Sequence, residues 1–232
     1  MPSTPQIISD LRVMMGANHQ LELLSSFRGV PFVCKANIES VEANRVQLKA
    51  LEPSMACLEY DKHPRVLGSD YFEPALAKVI SFDVLTGTVV LENLSYVGAK
   101  LGERMIVRVE PNEPITVKME GDGIHSEGQL ADISFSGIGV RILYADYSSS
   151  LKPGTSFQVS MQLPNGDISM PGTVISALKT TDFYRLSIRF GPDGVHKSLI
   201  FHYLVDRRNE IEQELFGVYN TLVEEKRAAS SS

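Results

Sequence analysis

Residues Arg104–Gly137 read RMIVRVEPNEPITVKMEGDGIHSEGQLADISFSG. Both ends of this stretch alternate polar and apolar residues at the period of a β-strand, which predicts a β fold. Its opening residues, RMIVR, place Arg104 and Arg108 on one strand face and apolar side chains on the other. Its closing residues, ADISF, place Asp132 and Ser134 on a polar face. The opposite, apolar side of that strand is expected to hold Ala131, Ile133 and Phe135.

Two guanidinium groups, a carboxylate and a hydroxyl are therefore expected to gather outside a barrel wall. Arginine in a fixed register suits phosphate, because its planar fork makes paired, charge-assisted hydrogen bonds. It also pairs with the O6/N7 edge of guanine, while an aspartate accepts from the N–H groups of guanine. Gly137 ends the polar run where a bare backbone would let a ligand approach. The set describes an anionic ligand that carries guanine.

The order and spacing of these residues resemble the PilZ domain, a bacterial receptor for cyclic di-GMP. Its signature is an RxxxR pair followed about two dozen residues later by (Asp/Asn)-x-Ser-x-x-Gly, and both parts are present here. The resemblance implies a cyclic di-GMP site with no further cofactor and no metal. The implied ligand-binding residues are Arg104, Arg108, Asp132, Ser134 and Gly137.

The ordered pair of motifs carries the specificity of this resemblance, which covers roughly residues 100–207. An RxxxR spacing alone has little value, since Arg185 and Arg189 repeat it with no second motif after them; they are predicted to be outward residues of a late barrel strand. One departure is Glu103, which stands where many PilZ domains have a further arginine. A carboxylate there argues against binding of two stacked ligand molecules.

The predicted fold is mainly β, with two small antiparallel β-barrels in tandem and a C-terminal helix. Residues 1–97 are read as a β-rich N-terminal domain, and residues 98–232 as the PilZ domain with its linker, a barrel of six or seven strands, and the helix. This layout resembles that of the flagellar brake proteins.

Several local elements follow from the pattern of residues. A short helix is expected over residues 7–15, a strand in MACLEY near residue 57, and a hairpin about Leu85–Gly87. Asn165-Gly166 predicts a type I′ hairpin turn, because both residues readily take positive φ. From about Val195 the apolar period becomes helical.

The C-terminal helix carries apolar residues at heptad spacing, among them Leu204, Ile211 and Val218. The simpler interpretation is packing against the barrel or against the first domain. The alternative is a homodimer formed through this helix.

A segment with two glycines, Tyr96–Gly102, is predicted to link the domains and leads directly into Arg104. A ligand that holds both motif arginines would therefore restrain this hinge. The hypothesis is that ligand binding selects one interdomain arrangement.

Composition narrows the classes of function. The 232 residues carry a net charge of −6, which disfavours a general nucleic-acid binder. No run of about 18 apolar residues predicts a membrane span. Cys34 and Cys57 lie in apolar, strand-like surroundings and are expected to be buried free thiols, which fits a reducing cytoplasm.

No set of residues predicts an enzyme. The five histidines are scattered, and no phosphate-binding loop, dinucleotide fingerprint or nucleophile motif is present. The expected function is a cytoplasmic receptor for cyclic di-GMP acting on an unknown protein partner, such as the flagellar motor or polysaccharide-synthesis machinery. The alternative is a ligand-independent PilZ-like interaction module whose site has decayed, which Glu103 favours.

Overall fold

The computed structural model describes most of the chain, namely residues 4–50, 52–68, 72–97, 107–121, 123–192 and 194–230. The chain divides into two compact units. The first draws on residues 1–105 and 211–232, and the second on residues 106–210. The domain limits 1–97 and 98–232 stay a prediction, since compactness alone does not define a folding domain.

The first unit is a closed antiparallel barrel preceded by a helix. Its elements are the helix Thr4–Gly16 (α1), the strands Gln20–Phe27 (β1), Val30–Val41 (β2), Arg45–Lys49 (β3), Arg65–Leu67 (β4), Ala75–Asp83 (β5) and Thr88–Tyr96 (β6), and a 3-10 helix at Pro53–Glu59. The strand order is β1-β2-β3-β6-β5-β4, and pairing of β4 with β1 closes the circle.

Alternation explains why these segments form a barrel. In β1, for example, Leu21 and Leu23 are fully buried while Glu22 between them is more exposed. Helix α1 covers the same core with Ile7, Leu11 and Met14, which are spaced as one helical face.

The second unit contains the other seven strands of the described part of the chain. They are Arg108–Val109 (β7), Thr116–Gly121 (β8), Ile124–Ser134 (β9), Gly137–Leu143 (β10), Ser156–Leu163 (β11), Gly166–Lys179 (β12) and Phe183–Phe190 (β13). A 3-10 helix at Tyr144–Asp146 follows β10. The sheet order is β10-β13-β12-β11-β8-β9-β7, and an additional pairing of β9 with β10 closes six strands into a barrel.

The last element is a long helix, Gly194–Ser230 (α2). Its residues 194–210 belong to the second unit and residues 211–230 to the first. Within the first unit, Tyr219, Leu222 and Val223 pack against the barrel core. This contact supports packing as the role of the heptad pattern in this half of the helix.

The mainly β fold with two antiparallel barrels in tandem and a C-terminal helix is confirmed. Details differ: β1 and the short β4 were not predicted, and MACLEY lies largely in the 3-10 helix Pro53–Glu59 instead of a strand. Pro53 begins that helix, where a missing N–H costs nothing, and residues 55–58 are buried.

The hairpin joining β11 and β12 is present, but its turn is not type I′. Leu163 pairs with Gly166, so the two loop residues are Pro164 and Asn165. Positive φ occurs at Gly166, and Asn165 is not among the residues with positive φ. A proline in the first loop position fixes φ near −65° and excludes the type I′ geometry.

Candidate functional site: a charged patch on the second barrel

The second motif lies on the outer side of β9, where the alternation predicted it. Ile133 faces the core with no exposure, whereas its neighbours Asp132 and Ser134 lie on the other face of the strand, where the surrounding side chains leave them only 6% and 1% exposed. Phe135 is the exception to the pattern. The strand ends at Ser134, so Phe135 falls in the turn before β10, with its side chain 44% exposed instead of in the core.

Arg108 and Asp132 are brought together by strand pairing. Arg108 in β7 lies opposite Ser134 in β9, and its Nη1 is 3.3 Å from Oδ1 of Asp132. The Arg108 side chain is 47% exposed and that of Asp132 only 9%. The guanidinium can therefore reach a ligand in solvent while one of its N–H edges contacts the carboxylate.

The turn of the second motif is closed by Ser134. Its hydroxyl donates to the carbonyl of Gly137 at 3.0 Å, and Ser134 is almost fully buried. Gly137 then lies opposite both Ser134 in β9 and Arg189 in β13. These two motif residues thus shape the edge of the patch beside the Arg108–Asp132 pair.

Arg104 and Glu103, as well as the predicted linker glycines, lie outside the described residues. The structure thus places four of the five predicted site residues on one patch of the barrel, and the role of Arg104 stays a prediction.

A further arginine, Arg185, also reaches the patch, although its RxxxR spacing alone has little predictive value. Nη2 of Arg185 in β13 donates to Oδ2 of Asp132. Arg185 was read as an outward strand residue, which is where it lies. Its link to the second motif follows from the pairing of β13 with β10, which no local pattern reveals.

Comparison with known proteins identifies the second unit. Residues 102–206 match the family model described as the PilZ domain. The chain carries a PilZ domain.

Several solved structures align with the chain at low sequence identity. The K. pneumonia MrkH–c-di-GMP complex aligns with a TM-score of 0.50 and 14% identity, covering 91% of this chain and 97% of that chain. YcgR of Escherichia coli in complex with c-di-GMP gives 0.47 and 16%, covering 93% and 95%. The Bacillus subtilis inhibitor of motility MotI/DgrA gives 0.43 and 14%, covering 83% and 97%. At 14% identity, the likeness to MrkH concerns the fold alone. No curated protein matches the chain significantly.

Two features are absent from the described part of the chain. No helix there is sufficiently long and apolar to cross a membrane. Nor do three or more histidine, cysteine, aspartate or glutamate side chains come together there as metal ligands would.

Proposed function

We propose that this PilZ domain binds cyclic di-GMP through Arg104, Arg108, Asp132, Ser134 and Gly137. The observation that carries the proposal is the contact of the exposed Arg108 with the mostly buried Asp132, which brings one residue of each motif together. Arg108 offers its remaining donors to a phosphate or to the O6/N7 edge of guanine. Asp132 retains lone pairs that can accept the ring and amino N–H groups of guanine.

The charge of the patch supports an anionic ligand. Arg108 and Arg185 share a single carboxylate, so these three side chains carry a net charge of +1 within a protein of net charge −6. A positive patch on an acidic protein concentrates anions locally without favouring nucleic acid in general. The similar structure of K. pneumonia MrkH is a complex with c-di-GMP.

We further propose that binding acts as a switch. Arg104 immediately follows the predicted linker, so a ligand held by both motif arginines would restrict that segment and select one interdomain arrangement. The new surface would regulate a protein partner in motility or in exopolysaccharide and biofilm control. The chain would act as a cytoplasmic receptor and not as an enzyme.

The experiment is equilibrium binding of fluorescently labelled cyclic di-GMP to the full chain, with GTP and cyclic di-AMP as competitors. We expect saturable binding that unlabelled cyclic di-GMP displaces and the competitors do not. Arg108→Ala should abolish binding and Arg141→Ala should not, since Arg141 is an exposed arginine of the same barrel whose guanidinium lies over the Phe183 ring, 5.7 Å from its centroid. Absence of binding to the unaltered protein would favour the ligand-independent interaction module.

A further inference from the structure

The Asp132 carboxylate is held on both of its oxygens. Oδ1 is 3.3 Å from Nη1 of Arg108, and Oδ2 accepts from Nη2 of Arg185. The two arginines come from different strands, β7 and β13, on opposite sides of β9 and β10. Charge-assisted bonds from both sides restrict the carboxylate to one orientation on the barrel surface.

The backbone next to the carboxylate also restricts its position. Gly139 in β10 lies opposite Asp132, and a Cβ at Gly139 would be 2.8 Å from Oδ2 and 3.1 Å from Oδ1. The carboxylate therefore occupies the space above a bare Cα. Any side chain at residue 139 would push the carboxylate away from β10, and so away from Arg185 on the next strand.

Arg185 is itself well fixed. Its backbone lies between Arg141 of β10 and Leu178 of β12, so β13 is paired on both sides at this position. The neighbouring Tyr184 stacks on Tyr147 with ring centroids 3.7 Å apart. The guanidinium thus projects from a rigid strand and can orient the group that it contacts.

We infer that Arg185 and Gly139, which lie outside both motifs, are positioning residues that fix Asp132 for recognition of a guanine edge. This inference rests on the proposed binding of cyclic di-GMP. Two of the four lone-pair directions of the carboxylate are used by arginines, and the remaining two can meet the paired N–H donors of guanine. Without Arg185 or the space above Gly139, the carboxylate would adopt other rotamers, and binding would carry the cost of ordering it.

The first test measures cyclic di-GMP affinity for the unaltered protein and for Arg185→Ala, Gly139→Ala and Arg141→Ala. The control residue Arg141 faces outward and pairs directly with Arg185 across the strands, so its removal matches the change of charge and location. We expect Arg185→Ala and Gly139→Ala to weaken binding by about tenfold or more, as loss of one charge-assisted hydrogen bond would. Arg141→Ala should change affinity by less than about threefold, since exposed charges contribute little.

The second test asks whether the two residues act through Asp132. In the Asp132→Asn background, adding Arg185→Ala or Gly139→Ala should weaken binding no further, because the group that they position is already changed. Arg185→Lys keeps the charge but not the planar fork and should give an intermediate affinity. Thermal unfolding of each variant tests whether it is folded. If Arg185→Ala does not fold, Gly139→Ala still tests the inference, because it leaves the guanidinium in place.

The outcomes separate this inference from the proposed function. If the unaltered protein binds and Arg185→Ala and Gly139→Ala bind as Arg141→Ala does, the positioning role is wrong and the receptor function stands. Fully additive losses in the Asp132→Asn background would also overturn it, because the residues would then act on the ligand independently. If the unaltered protein does not bind cyclic di-GMP, both the proposed function and this inference are wrong.

Discussion

The Cα of Gly137 lies directly against the backbone of Ile188. A Cβ at Gly137 would be 2.2 Å from the Ile188 carbonyl oxygen and 3.1 Å from the Cα of Arg189. Backbone atoms cannot rotate away as a side chain can. The last residue of the second motif is therefore required by the packing of β10 against β13, independently of any room it leaves for a ligand.

Gly137→Ala is accordingly expected to destabilise the protein. Separating β10 from β13 should lower the free energy of unfolding by about 2 kcal/mol or more, within the range of strained core substitutions. Gly217→Ala is the matched control, because a Cβ there meets nothing within 4 Å and alanine is the better helix former by about 1 kcal/mol. Urea unfolding of both variants measures the difference, and equal stability of Gly137→Ala and the unaltered protein would contradict the close contact.

A second prediction concerns Arg207 in α2, whose side chain is 2% exposed. Its Nε donates to the Glu110 carbonyl and its Nη1 to Glu210 Oε2, each at 2.8 Å. Arg207→Ala would leave a void and a carbonyl without this donor, so we expect a loss of about 2 kcal/mol or more.

The control for Arg207 is the next residue along the helix. Arg208→Ala removes the same charge from an exposed position and should lower the free energy of unfolding by less than about 1 kcal/mol, the upper end for an exposed ion pair. Denaturant unfolding compares the two, and similar effects would show that the buried contacts of Arg207 contribute little.

The buried thiols give a prediction that depends on pH. Burial raises the pKa of Cys34 to about 11 and that of Cys57 to about 12, from the ordinary 9.0. The thiols of the unfolded chain lose their protons at lower pH than the buried thiols do. The contribution of the buried thiols to the free energy of unfolding is therefore complete below about pH 9 and is lost as the pH rises towards 11 and 12. We expect very slow reaction of the native protein with a thiol reagent at pH 8 and rapid reaction after denaturation; fast labelling of the native chain would contradict this.

The sequence predicted the features that depend on local periodicity. Alternation placed Asp132 and Ser134 outside the barrel, and it failed at Phe135 because the strand ends one residue earlier in a turn. The run MACL is short and apolar, and such a run suits a strand or a buried helical turn equally well. Pro53 was the available signal for a helix start.

The contribution of Arg185 could not be predicted in the same way. Fifty-three residues separate it from Asp132, and their contact arises from the pairing of β13 with β10. Strand order around a closed barrel is a non-local property, and a repeated RxxxR spacing carries no information about it. Gly139 likewise gains its meaning from the carboxylate above it and not from its neighbours in sequence.

Isothermal titration of the full chain with cyclic di-GMP determines whether this PilZ domain binds its proposed ligand. We predict saturable binding of one ligand molecule per chain, because Glu103 stands in place of the arginine that would favour a stacked pair. We also predict loss of the binding signal in Arg108→Ala. No binding heat, together with no thermal stabilisation at high ligand concentration, would contradict the receptor function.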